Sequence, residues 1–153
     1  MIQLQALATV KNERLKPEDD NWNSIVSEIV LKEEIPIEAL DGIEAFSHLN
    51  IIFYMDRVLD EKAIAQSRHP RNNSNFPVVG TFGQRNKNRP NKLGLTCCEL
   101  IAVEGRTLQV RGLDAINDTP VLDIKPVFEE FLPKGEIRQA DWTRDIMKNY
   151  WQS

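Results

Sequence analysis

Apolar and β-branched residues in this chain come in short runs, and turn chemistry cuts each run off before it reaches helical length. Runs of about four to eight residues between Gly, Pro, Asn and Asp bury themselves most readily as strands. Ile2 to Val10 alternates apolar residues at Ile2, Leu4, Ala6, Ala8 and Val10, the period of a half-buried strand. Ser24–Leu31 reads as a second strand, after a polar loop from Lys11 to Asn23. Leu49–Met55 (LNIIFYM) reads as a buried central strand, with Pro77–Phe82, Leu95–Val103, Thr107–Leu113 and Val121–Ile124 following. Glu104-Gly105 signals a tight turn, so the runs on either side of it form a hairpin. Ile37–Ser47 and Leu59–Ala65 allow short helical turns, the first weakened by Gly42. Trp142, Ile146 and Tyr150 fall on one face of a C-terminal helix over about 140–151. The fold class is therefore mostly β: a single β-barrel of short strands over about 2–126, with a few short helices and a C-terminal helix.

The chain's 153 residues suit one domain, 1–153, with a proper core. With 41% hydrophobic and 27% charged residues, disorder of the whole chain is excluded. No apolar run approaches the roughly 20 residues of a membrane helix. MIQLQALATVKNE lacks the basic start and apolar stretch of a signal peptide, so a cytoplasmic setting is expected. Cys97 and Cys98 are neighbours that point to opposite faces of a strand; both read as small buried hydrophobes. With His48 and His69 the only histidines, no ligand cluster forms and no metal is expected.

Charge is segregated. The net charge is −4, yet Ala63–Cys98 carries Arg68, Arg71, Arg85, Lys87, Arg89 and Lys92 with no acidic residue. An acidic protein that gathers cations in one segment offers a place for an anion. At its centre Arg85, Lys87, Arg89 and Lys92 alternate with Asn86, Asn88 and Asn91 between Gly83 and Gly94. Such a loop suits RNA phosphates, a nucleotide or a carboxylate-bearing cofactor; the bland alternative is a solvated loop. Neither GxGxxG nor GxxxxGK[ST] spacing is present. The long polar segment Arg57–Phe76 is a candidate lid or nucleic-acid contact. Asp114, Asn117, Asp118 and Thr119 make a second polar turn, which side chain-to-backbone bonding also explains. Ser47 and His48 suggest a nucleophile and base, but adjacent side chains rarely meet and no GxSxG elbow exists. Trp22, Phe46, Phe53 and Tyr54 read as core rather than as a base-stacking platform.

Three segments, in order, resemble the TsaA-like family that includes the tRNA methyltransferase O enzymes. GIEAFSHL (42–49) is similar to its G-[LI]-E-x-F-S-H-[LI] segment before a central strand. VGTFGQRNKNRPNKLGL (79–95) resembles G-V-F-A-T-R-S-x-x-R-P-N-P-I-G-L, and GLDAINDTPVLDIKP (112–126) resembles L-D-L-L-D-G-T-P-V-L-D-I-K-P. The resemblance implies a homodimeric β-barrel that binds S-adenosylmethionine. It also implies methylation of the exocyclic nitrogen of threonylcarbamoyl-adenosine beside the anticodon of tRNA. Carried over residue by residue, cofactor contacts fall on Arg85, Leu95, Ile116, Asn117, Asp118 and Thr119, on Asp56 and Arg57, and near Asn21–Asn23. RNA contacts fall on Lys87, Arg89 and Lys92, and the candidates for a catalytic role are Arg89 and Asp118. The sequence departs from the pattern where Lys92 stands for Pro, Asn117 for a carboxylate and Asp118 for Gly. Asn and Asp tolerate positive φ, so the turn is expected to survive. Alternatives are a non-catalytic S-adenosylmethionine-binding barrel, or a methyltransferase of the same fold acting on a small molecule.

Overall fold

The short runs close into a barrel. A computed structural model describes residues Met1–Ser153. In chain order the strands are β1 (Ala8–Lys11), β2 (Val26–Leu31), β3 (His48–Tyr54), β4 (Ser67–Arg68), β5 (Val79–Gly80), β6 (Leu93–Glu104), β7 (Thr107–Arg111) and β8 (Pro120–Pro126). The barrel runs β1-β2-β7-β6-β3-β8 and back to β1, with every pairing antiparallel. Closure gives each of the six barrel strands a partner on both sides, which removes the open sheet edge that another chain could template on. Within each strand alternate residues point inward, so Ala8, Val10, Ile29, Leu49, Ile51, Phe53, Cys98, Leu108, Val110 and Val121 fill the interior.

The long strand β6 makes closure possible. Its first part, Leu93–Glu99, pairs with β3, while Glu99–Glu104 pairs with β7. A register shift between Leu100 and Ala102 lets one strand turn the corner between two neighbours. The β6–β7 hairpin forms at Gly105, whose φ of 58° places it in the left-handed region. Arg106 beside it donates to the carbonyls of Lys32 and Ile35 at 2.9 and 2.5 Å, tying the hairpin to the segment after β2.

Several expectations change. The N-terminal strand begins at Ala8, and Ile2 and Leu4 are exposed. Leu7 still donates to Val121 O and accepts from the Lys32 amide, at 2.7 and 3.0 Å, but ladder pairing with β2 and β8 stops at Ala8. β3 is central, between β6 and β8, but only its Leu49, Ile51 and Phe53 face is buried. Pro77–Phe82 supplies only β5, which pairs with β4 outside the barrel, followed by a helical turn at Thr81–Gly83. Cys97 is exposed, since a strand must send adjacent residues to opposite faces; Cys98 alone is buried, and burial pushes its thiol up to about 12. The C-terminal helix α1 covers only Asp141–Ile146 and continues as turns. Of the aromatic residues, Trp22 and Phe53 are buried, whereas Phe46 and Tyr54 are half-buried.

Gly94 lies opposite Phe53 in the β3–β6 ladder, and a Cβ there would overlap the Phe53 ring. Gly94→Ala is expected to destabilise the protein by about 1–3 kcal/mol, as overpacking does. Urea unfolding should show a lower midpoint at unchanged m.

Candidate functional site

Antiparallel closure brings distant segments to one mouth of the barrel. Lys11 pairs with Glu28, Val26 with Arg111, Tyr54 with Leu93, and Thr9 with Pro120. The loop after β1, the segment after β3, the basic loop before β6 and the turn between β7 and β8 therefore open on the same end. The GIEAFSHL segment leads into β3, its last two residues opening the strand, and lies at the opposite end. There Ser47 Oγ and His48 Nδ1 do meet, at 2.7 Å, contrary to the expectation for adjacent residues. Both are exposed, and β3 begins directly at His48, so no strand–turn–helix elbow is formed.

At the mouth, Asp118 has φ 70°, so it adopts the backbone that Gly would supply and the turn survives as expected. Amides of Asn117, Asp118 and Thr119 donate to the carbonyls of Arg14, Val10 and Ile116 at 2.8, 2.8 and 3.2 Å. Thr119 Oγ1 also donates to Ile116 O at 2.7 Å. Lys11 Nζ lies 2.5 Å from Asp118 Oδ1, and its hydrogen bond holds that carboxyl below the usual carboxylate range.

Asn12 joins the loop after β1 to this turn. Its amide N–H donates to Asn117 Oδ1 at 3.0 Å, and its Nδ2 donates to Ser27 Oγ and Ala115 O at 2.9 and 2.8 Å. Arg14 donates to the carbonyls of Asp20 and Asn21 at 3.0 and 2.7 Å, and its guanidinium stacks 4.3 Å over Trp22. Arg57, arriving from β3, donates to Leu15 O at 2.9 Å and reaches Asn117 O at 3.5 Å. The sequence-selected Arg57, Ile116–Thr119 and Asn21–Asn23 are thus brought together through Asn12 and Arg14. Asp56 stands exposed beside them, its amide bonded to Tyr54 O at 2.9 Å.

The basic loop divides into committed and free cations. Arg89 Nη1 donates to Thr81 O and Gln84 O at 3.1 and 2.6 Å, which shapes the loop from inside. Lys92 is buried along its stem, and its ammonium reaches Asp60 at 2.5 Å, so an RNA contact through it would have to break that pair. That hydrogen bond raises Lys92 above its ordinary value and lowers Asp60 below its own. Arg85 is exposed, donating to Leu95 O at 2.8 Å, and Lys87 is exposed as well. None of Arg57, Arg85, Lys87 or Arg89 has a carboxylate partner. The side-chain oxygens of Asn86 and Asn88 and the Trp22 Nε1 are buried without a partner. Such orphans call for an explanation.

Asp114, part of the polar turn that the sequence singles out, lies at this mouth; Tyr150 was not legible as functional, because it sits on a stripe that reads as helix packing. Two surface depressions, of about 340 and 310 Å³, lie over Glu13–Ile25 and Glu136–Arg144, and neither includes Arg85 or Leu95. The first borders the Arg14 and Leu15 corner that Arg57 holds.

Comparison with known proteins matches residues 8–131 to the tRNA-methyltransferase O N-terminal domain. The chain belongs to this family. A human tRNA (adenine(37)-N6)-methyltransferase is 40% identical over 96 residues, covering 63% of this chain and 21% of that protein. A probable S-adenosyl-L-methionine-binding protein of Archaeoglobus fulgidus is 31% identical, over 82% of this chain and 34% of that one. The chain thus spans about a fifth and a third of these two relatives. One from Methanothermobacter thermautotrophicus, under the same description, is 35% identical over 74% of this chain and 78% of its own length. The crystal structure of TrmO from Pseudomonas aeruginosa superposes with a TM-score of 0.75 at 21% identity, over 91% of this chain and 61% of that one. That likeness establishes the barrel fold of the family here.

The family pattern's Pro at the Lys92 position does not fit this backbone. Lys92 has φ 52°, which Pro cannot adopt, and its amide donates to Arg89 O at 3.0 Å. Lys92→Pro is therefore expected to lower stability by more than about 1 kcal/mol rather than restore a native state, read by thermal and urea unfolding. The Lys92–Asp60 pair also has a defined pH window. Asp60's folded pKa lies below its ordinary 3.8, so its contribution is complete above that value and is lost as pH falls through the folded pKa. Lys92's folded pKa lies above 10.5, so its contribution is lost only as pH rises through that higher value. The melting difference between wild type and Asp60→Asn should be flat from about pH 5 to 9 and vanish in acid.

Proposed function

We propose that this chain is an S-adenosylmethionine-dependent methyltransferase acting on tRNA. Its acceptor in this reading is the exocyclic nitrogen of threonylcarbamoyl-adenosine beside the anticodon. The observation that carries this is the convergence at one mouth of Arg57 and Arg85, both free of carboxylates, with the Ile116–Thr119 turn and the orphaned acceptors of Asn86 and Asn88. The relatives' names agree with it, one for adenine(37)-N6 methylation of tRNA and two for S-adenosylmethionine binding.

The residues fit the cofactor's chemistry. S-adenosylmethionine presents a carboxylate, amines, a ribose and an adenine edge. Guanidinium groups suit the carboxylate, and amide oxygens such as those of Asn86 and Asn88 suit the N–H groups. Arg85, Leu95, Ile116, Asn117, Asp118, Thr119, Asp56 and Arg57, with Asn21–Asn23 nearby, are the residues that would hold it. When bound, it supplies an electrophilic methyl group on a sulfonium.

The chain's own part is binding, orientation and exclusion of water. Asp118, already stabilised as a carboxylate by Lys11, is a weak base for the acceptor's proton. Arg89 spends its guanidinium on two backbone carbonyls, so its role is to hold the loop in shape. Lys87 is the cation best displayed to phosphate, with Arg68 in the polar loop after β3 as a further contact. Residues 1–153 act in this reading as one unit in the cytoplasm. A second copy would cover the open mouth against the exposed Leu93 and Leu95 on β6, making the homodimer the active form.

A non-catalytic binding barrel is the second reading. It is favoured by the Lys11–Asp118 pair at a turn where the family pattern has Asp-Gly, and by the archaeal relatives' names. Mass spectrometry of tRNA nucleosides from cells with and without the protein separates the two. The methyltransferase reading expects a methylated adenosine that appears only with the protein; cofactor binding with no change in any nucleoside would leave the binding barrel. Arg85→Ala should weaken cofactor binding about tenfold, the scale of one lost charged hydrogen bond. Lys87→Ala should weaken tRNA binding alone and flatten its salt dependence by about one phosphate contact.

A further inference from the structure

The family match ends at residue 131, yet the chain beyond it returns to the mouth. After α1 the backbone runs in turns, and the carbonyls of Asn149 and Tyr150 accept from the amides of Asn21 and Trp22 at 3.1 and 2.9 Å. Trp142 packs against Phe76 at 6.5 Å between ring centroids, and Trp151 lies beside Gly112. The last turn of the chain is thereby seated across the loop after β1 and the start of the β7–β8 turn.

Tyr150 gives this contact a chemical end. Its hydroxyl donates to Asp114 Oδ2, while Thr96 Oγ1 donates to Asp114 Oδ1. Thr96 is buried and adjoins Leu95, whose carbonyl holds Arg85. Asp114 stands two residues before Ile116, the first residue of the candidate cofactor turn. One carboxylate therefore joins the strand that carries Leu95 to the turn Ile116–Thr119, and Tyr150 caps its remaining oxygen. Arg85 and Arg71 are close enough that their charges act on the Tyr150 phenol, opposing the burial and the Asp114 charge that raise it far above its ordinary value. The phenol thus stays protonated and remains a donor at every working pH, and it is not a general base.

We infer that Tyr150 is a positioning residue for the cofactor site: through Asp114 it fixes the spacing between Leu95 with its Arg85 and the Ile116–Thr119 turn. The segment after residue 131 is on this account part of the site. Losing one of two donors leaves the Asp114 carboxylate free to rotate, so the two halves of the site drift relative to each other. Positioning errors of this size weaken binding of a ligand that spans both halves and spare one that touches neither.

This inference rests on the S-adenosylmethionine reading, and the test separates the two. Cofactor affinity is measured calorimetrically on the full chain for wild type, Tyr150→Phe and Thr96→Val. Thermal unfolding is followed with and without cofactor, and steady-state KM values are taken for cofactor and for tRNA. Tyr150→Phe is expected to raise the cofactor Kd and KM by about three- to tenfold, less than the full effect of a lost hydrogen bond to a charged group because the contact acts on the cofactor only through Asp114. Its tRNA KM should stay within about twofold, and its stabilisation by cofactor should shrink more than its ligand-free melting temperature falls. Thr96→Val, which frees the same carboxylate from the other side, should act in the same direction. Unchanged cofactor affinity in both variants overturns the inference while the parent reading stands. A lower ligand-free melting temperature with equal losses for cofactor and tRNA also overturns it, showing a purely structural contact. Failure of wild type to bind S-adenosylmethionine overturns the parent reading and the inference with it.

Discussion

Closure of the antiparallel barrel is the constraint on which everything else in this protein depends. Strands of four to twelve residues cannot bury enough surface singly, and an open sheet of them would expose two edges. Once β8 returns to β1, alternate side chains fill the interior and the other set must face outward. The same closure sets every loop at one end or the other by strand direction alone. That is why segments around residues 12–23, 55–57, 81–95 and 112–119, far apart in the chain, open on one mouth.

Within the mouth, arginine serves two physical purposes. Arg14, Arg89 and Arg106 donate to backbone carbonyls of the loops, and Arg14 and Arg106 pair with Glu18 and Glu33 as well. They are scaffold, and a planar five-donor fork suits that task. Arg57 and Arg85 each satisfy a carbonyl too, yet both are exposed and unpaired with acid. Donors left over in this way are what an anion requires, and distinguishing them from scaffold requires knowing where each fork points. Lys92 shows the contrast most plainly: a cation by sequence, it is neutralised by Asp60 from a segment about thirty residues upstream.

Much of the fold was legible because strand periodicity and turn chemistry are local. The β6–β7 hairpin at Glu104-Gly105, the interrupted helical turns around Gly42 and the tolerance of Asp118 for positive φ all follow from adjacent residues. Errors fall where partners decide. The alternation from Ile2 to Ala6 satisfies the strand period, but the chain leaves the ladder upstream of Leu7, whose bonds to Val121 and Lys32 are the last it makes with β8 and the end of β2. The helical stripe through Tyr150 stops early, and its last residues bond to Asn21 and Trp22 instead of continuing the helix. Asn12 carried no functional signal beyond being a polar residue in a loop, although it ties that loop to Asn117.

The sequence by itself determined the strand-rich class, the concentration of positive charge before β6, and the turn chemistry at Ile116–Thr119. Each is a property of neighbouring residues, so no distant contact is needed to establish it. Only the tertiary structure decided which cations stay free, that the GIEAFSHL segment lies away from the mouth, and that Tyr150 reaches Asp114. Those outcomes depend on strand direction and register across more than a hundred residues, as when Lys11 meets Asp118. Charge and periodicity are written along the chain, whereas the pairing of a donor with an acceptor is settled by which strands become neighbours when the barrel closes.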